Sequence, residues 1–151
     1  MQSKLKLEHI SAYLPYKLKC LYTHTNKIGT ISNIYTIGDG YDNEDVKLSI
    51  DYNNEEHIWM FKPILRPLSN LAKEIEVNGE KFMPYDYFLN DTENDWFEGN
   101  IWMGYLFEGN IDKLEIGFIP YYVIQKLAEW HIDFQGLIEA GLAIDKTTLK
   151  N

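Results

Sequence analysis

The chain has 151 residues, 45% hydrophobic and 15% aromatic, with a formal net charge of −9 and a single cysteine. That length suits one domain spanning residues 1–151, and the apolar content is enough to close a core, which excludes disorder of the whole chain. The lone Cys20 excludes an internal disulfide framework and every Cys-rich zinc pattern.

Apolar runs such as residues 116–124 fall well short of the roughly 20 residues that cross a bilayer. Residues 1–9 lack both a continuous apolar segment and a small-residue cleavage site, so the expected location is the cytoplasm where the chain is made. Charge is unevenly spread. Residues 1–35 carry five lysines against Glu8, whereas residues 36–115 carry eighteen acids against six bases. An acidic surface repels phosphate backbones and attracts basic proteins, so direct nucleic-acid binding is not expected.

In chain order, residues 5–13 place Leu5, Ile10 and Tyr13 among polar residues and predict a short amphipathic helix or turn ending at Leu14-Pro15. Strands follow at residues 18–23, 30–37, 46–52 and 57–61. In the third, Val46, Leu48, Ile50 and Tyr52 alternate with Lys47, Ser49 and Asp51, the period of a strand with one buried face. The short polar connections at 26–29, 38–43 and 53–56 predict an antiparallel meander.

Residues 62–69 hold Pro63 and Pro67 and should run extended into a short helix that starts near Ser69 or Asn70 and closes at Asn78-Gly79. Residues 82–107 crowd aromatics among acids and give no clear element. Pro120 stands where first-turn prolines stand, and Val123, Ile124, Leu127 and Trp130 follow at helical spacing. A second short helix is predicted over 134–140, stopped by Gly141, with residues 142–145 packing back as a tail. The fold class is therefore α+β: an N-terminal antiparallel meander or small barrel of about four strands packed with C-terminal helices.

No enzyme signature is present: there is no Gly-x-Ser-x-Gly, no phosphate-cradling glycine loop and no dinucleotide fingerprint. Residues 38–45 are rich in oxygen ligands but lack the spacing of an EF-hand. His9, His24, His57 and His131 are scattered without a His-x-x-x-His pair; His131 reads as a residue that favours a helix C-terminus. Asp91, Glu93 and Asp95 offer carboxylates for metal-assisted hydrolysis, but nothing in their spacing gathers a partner cluster. The expectation is a protein without cofactor or catalytic site.

A protein contact suits the interleaved acids and aromatics better, with aromatic anchors and steering carboxylates. The expected contact residues are Asp39, Asp42, Glu44 and Asp45 in the first loop, and Glu55 and Glu56 in the second. Asp91, Glu93, Asp95, Trp96 and Glu98 complete the set in the third.

Leu14-Pro15-Tyr16 with Leu18, the segment 62–68, and residues 130–145 together resemble a family of small proteins encoded by phages and prophages of Bacteroidota. The similarity covers both ends and the middle proline segment, but not residues 38–54 or 82–107. It carries no assigned catalytic residues. It implies an anti-defence setting, in which a non-enzymatic inhibitor binds a basic RNA-guided nuclease, such as a type VI CRISPR effector, or interferes with loading of its guide RNA. A phage assembly or housekeeping protein that self-associates is the alternative, and a metal-dependent hydrolase the third reading.

Overall fold

The structure is a computed structural model that describes residues 4–37, 45–53, 55–89 and 121–149. Helix α1 (Leu7–Ile10) passes directly into a 3-10 helix, Ser11–Tyr16, which runs through Pro15 and ends at Lys17 in the left-handed region (φ 54°). The predicted amphipathic segment is thus helical, but it continues past the expected stop at Leu14-Pro15.

Six described strands form one sheet: β1 (Lys19–Tyr22), β2 (Lys27–Ile37), β3 (Asp45–Ile50), β4 (Glu56–His57), β5 (Phe61–Leu65) and β8 (Ile144–Asp145). Their order is β4-β3-β2-β1-β5-β8. The first four pair antiparallel in chain order, which is the meander expected from the short turns. Strand β5 then pairs antiparallel with the other side of β1, and β8 lies parallel to β5. Among the described residues the sheet stays open, with β4 and β8 at opposite edges, so they form a six-stranded sheet and not the expected small barrel of about four strands.

The strand expected over residues 57–61 is divided. His57 ends β4, residues Ile58–Met60 make a 3-10 turn, and Phe61 begins β5. The side chains explain the break, since Ile58 and Phe61 are buried and Trp59 is exposed. A spacing of three returns both apolar residues to one side in a 3-10 turn, which period-two alternation cannot do.

Two predicted helices are absent. After the 3-10 helix Leu68–Ala72, residues expected to be helical form the hairpin β6 (Ile75–Val77) and β7 (Glu80–Phe82). Asn78 and Gly79 both have positive φ, 53° and 85°. This two-residue Asn-Gly turn matches the twist of a hairpin, and that turn preference overrides the helical spacing of Leu71 and Ile75. Residues 134–140 form turns instead of a helix, and the buried Asp133 carboxylate accepts the amides of Gln135, Leu137 and Ile138 at 3.2, 3.0 and 2.9 Å. An aspartate that gathers nearby amides offers the backbone a local alternative to a regular helix. The tail expected at 142–145 does pack back, as β8.

Helix α2 (Pro84–Leu89) occupies part of the aromatic region left without a predicted element, and α3 (Tyr121–Glu129) is the helix expected after Pro120. Val123, Leu127 and Ala128 put its apolar stripe into a core that extends from Leu5 to Ala143. Trp130 gathers Phe82, Tyr87 and Phe88 at ring separations of 5.0, 5.1 and 5.4 Å, which fixes α2 and the hairpin to the end of α3.

The N-terminal segment is tied to this end by Tyr13, which is fully buried and donates its hydroxyl to the Ile132 carbonyl at 2.7 Å. Burial, then the charge of Asp133, pushes the phenol well above its usual range, so it stays a donor. Tyr13→Phe keeps the ring and leaves that buried carbonyl without this donor. Urea denaturation should read a loss of about 1–3 kcal/mol; a change within error would show that the bond contributes nothing net.

Candidate functional site

The register of the sheet decides which side chains meet outside the core. Cys20 lies opposite Gly29 and Pro63, which puts these three on one face. Alternation then places Lys19, Ile28, Thr30, Ile64 and Arg66 on the other. These five form the floor of a cleft of about 650 Å³. Pro15, Tyr16 and Lys17 wall one side, Glu76, Val77 and Asn78 of the β6–β7 hairpin another, and Glu129, His131, Lys146 and Leu149 the rest.

Arg66 is the most constrained of these groups. It is 7% exposed, its guanidinium donates through Nη1 to the Trp130 carbonyl, and Nη2 donates to the Glu76 carbonyl at 2.8 Å. Its backbone joins the same junction: the Arg66 amide donates to the His131 carbonyl at 2.7 Å and the Asp133 amide to the Arg66 carbonyl at 2.8 Å. The guanidinium therefore caps the carbonyl end of α3, where a cation complements the helix dipole. Burial lowers its pKa, yet an arginine remains protonated in a protein.

His131 closes α3 through a Schellman arrangement. Its amide donates to the Ala128 carbonyl at 3.0 Å and the Ile132 amide to the Leu127 carbonyl at 2.8 Å, with His131 itself at φ 53°. Glycine is the usual residue at that position. Here a histidine holds it, and its Nε2 lies 2.6 Å from the Tyr16 carbonyl. A carbonyl can only accept, so Nε2 carries the hydrogen and Nδ1 is the acceptor of the neutral ring.

Lys17, Asn78 and His131 all line the cleft, and all three are non-glycine residues at positive φ. Such backbone strain concentrates at binding sites, where a side chain is held in place despite its conformational cost.

Burial, then the charges of Arg66 and Lys19, pull Lys146 below its ordinary pKa. Burial lowers His131 first, the Tyr16 contact opposes this, and the charges of Arg66, Lys146 and Lys19 lower it further. The one ion pair among the described residues is Lys126–Glu129, at 3.0 Å, so Glu129 is occupied on the α3 side. Glu76 stands exposed on the hairpin and contributes its carbonyl to Arg66. Among the described residues, Lys19, Arg66 and Lys146 converge without a carboxylate paired to any of them.

The acidic contact residues lie elsewhere. Glu55 is exposed and Glu56 half-buried; Glu56 pairs with Leu48 of β3, three residues from Asp45, about 10 Å along the strand. These three sit at the β3–β4 edge, whereas the cleft spans β2, β1, β5 and the segment after β8. Asp39, Asp42, Glu44, Asp91, Glu93, Asp95, Trp96 and Glu98 lie outside the described residues, as does the 38–45 loop up to Glu44. Among the described residues no group of three or more His, Cys, Asp and Glu is gathered to hold a metal, and no helix is long and apolar enough to cross a membrane.

The contacts expected from sequence lie in the acidic loops and miss the cleft; the lysine excess of residues 1–35 is the one signal bearing on it, since Lys17 and Lys19 line it. Arg66, His131 and Lys146 carry no sequence signal of their own, because only the β5–β8 pairing and the end of α3 bring them together.

Comparison of the chain with protein-family models, with curated proteins and with solved structures found no match.

A depressed histidine pKa sets the sign of a pH effect. The unfolded chain binds the proton more readily, so the contribution of His131 is fully present above about pH 6.5 and is lost as pH falls through that value towards the folded pKa. NMR titration should place the imidazole midpoint of His131 below about 6.5, and Lys146→Gln should move it upward. A midpoint unaffected by Lys146→Gln would remove the shared positive field from the account.

Proposed function

We propose that the protein is a non-enzymatic binding protein that holds an anionic group of its ligand or partner in the cleft floored by Lys19 and Arg66. The observation that carries this reading is the convergence of Lys19, Arg66 and Lys146 without a paired carboxylate among the described residues, in a chain whose net charge is −9. Burial and the charges of Arg66 and Lys19 pull Lys146 below its ordinary pKa, and an incoming anion supplies the countercharge that favours its protonated form. Thr30, Tyr16 and Asn78 add neutral hydrogen-bonding groups around them.

The chemistry available is capture. The nucleophile candidate Cys20 is fully buried, and burial pushes its thiol far above its ordinary pKa. An inert thiol in the core suits packing. His131 already uses Nε2 on a backbone carbonyl, which favours a positioning role over proton transfer.

The resemblance to phage accessory proteins supports an anti-defence setting for this binding. In that setting the acidic β3–β4 edge and the acidic loops steer the protein to a basic RNA-guided nuclease of the host. The cleft then takes an anionic group presented there, while the net negative charge disfavours an extended nucleic acid.

The test is a titration with inorganic phosphate followed by amide chemical shifts at low salt. Shifts should concentrate at Lys19, Thr30, Arg66, His131 and Lys146, weaken steeply with added salt, and fall about tenfold in apparent affinity in Lys19→Gln/Lys146→Gln. An absence of shifts, or shifts that the double variant retains, would overturn anion capture.

A further inference from the structure

The cleft is far larger than one anion requires, and its lining is not uniformly charged. At about 650 Å³ it falls in the range of roughly 300–1,000 Å³ that suits small organic ligands. Ile28, Ile64, Val77 and Leu149 line it together with Lys19, Arg66 and Lys146. Ile28 is 43% exposed and offers its aliphatic side chain to the cleft. A free phosphate or sulfate leaves that apolar surface wet. A ligand with an anionic end and an apolar body covers both.

We propose that the cleft binds a small phosphomonoester whose apolar body is of nucleoside size, with the phosphate at Lys19, Arg66 and Lys146 and the body against Ile28, Val77 and Leu149. This deepens the anion-capture reading and rests on it. Three features favour a phosphomonoester over other anions. Three converging cations match a doubly charged group better than a singly charged carboxylate. Arg66 has Nη1 and Nη2 each committed to a carbonyl, of Trp130 and of Glu76, which holds its planar fork in place at the floor of the cleft. The surrounding acidity opposes a long polyanion, so the charge is confined to one end of a short ligand.

Specificity follows from the same parts. Lys19 and Lys146 are exposed point charges that draw the phosphate in, whereas Arg66 is a buried, oriented donor. Val77 sits on the hairpin strand next to the Asn78-Gly79 turn, so the body of the ligand is gripped between the sheet and that hairpin. The backbone at Asn78 and Lys17, both at positive φ, fixes the two lips of the cleft.

Isothermal titration of the full chain with three probes tests this: inorganic phosphate, adenosine and adenosine 5′-monophosphate. The nucleotide should bind at least about tenfold more tightly than phosphate, and adenosine should bind weakest, since each probe lacks one half of the interaction. Ile28→Ser, at an exposed position, should weaken the nucleotide several-fold and leave phosphate unchanged; Lys146→Gln should weaken both. Equal affinity for phosphate and nucleotide would overturn the phosphomonoester assignment and leave anion capture standing. No binding of either phosphate or nucleotide would overturn both. Tighter binding of adenosine than of phosphate would also overturn the assignment, by making the apolar surface and not the cations the source of affinity.

Discussion

The junction between the end of β5 and the end of α3 depends on Arg66. Its amide and carbonyl bridge to His131 and Asp133, and its guanidinium reaches the carbonyls of Trp130 and Glu76. Four separate pieces of chain are joined at this point: the central sheet, the helix terminus, the β6–β7 hairpin and the loop that Asp133 organises. A buried cation satisfied by carbonyls holds them without a carboxylate partner among the described residues. Such an arrangement is stable because the Nη1 and Nη2 donors each find a carbonyl, and because the helix end offers partial negative charge. It also sets the Arg66 charge beside those of Lys19 and Lys146, and the proposed anion capture rests on that convergence.

The two signs of charge are therefore segregated by the topology of the sheet. The meander carries Asp45, Glu55 and Glu56 to the β3–β4 side, while β1, β5 and the segment after β8 bring Lys19, Arg66 and Lys146 to the other. An acidic protein can in this way attract a basic partner over a distance and still accept an anion locally, since the first effect depends on the total charge and the second on contacts of a few ångströms. His131 couples the two layers of the site. Its backbone closes α3 at the cost of a left-handed conformation, and its ring ties that closure to Tyr16 across the cleft.

The meander was legible because Leu48 and Ile50 alternate with polar residues and the connections are short. Helix α3 was legible from the spacing of Val123 and Leu127. The failures share a cause: a local device outweighed periodicity. Asn78-Gly79 imposed a hairpin on a helical pattern, Asp133 gathered the amides of Gln135, Leu137 and Ile138 into turns, and Ile58 and Phe61 needed a spacing of three. The cleft was nearly invisible for a different reason. Lys19, Arg66 and Lys146 are far apart in sequence, and the parallel pairing of β8 with β5 that unites them involves two residues per strand. The acidic loops were conspicuous because charge density is a local property, whereas a site assembled from single residues on five segments is not.

The most direct test of the account is the stability of Arg66→Lys, measured by urea denaturation with the unfolding cooperativity compared. Lysine keeps the positive charge and most of the apolar stem but offers one compact donor group that cannot span both carbonyls. If the fork geometry of Arg66 holds the junction, the variant loses about 1–3 kcal/mol while its denaturant slope is unchanged. Stability equal to that of the native chain would contradict the account, because the Trp130 and Glu76 carbonyls would then need no guanidinium between them.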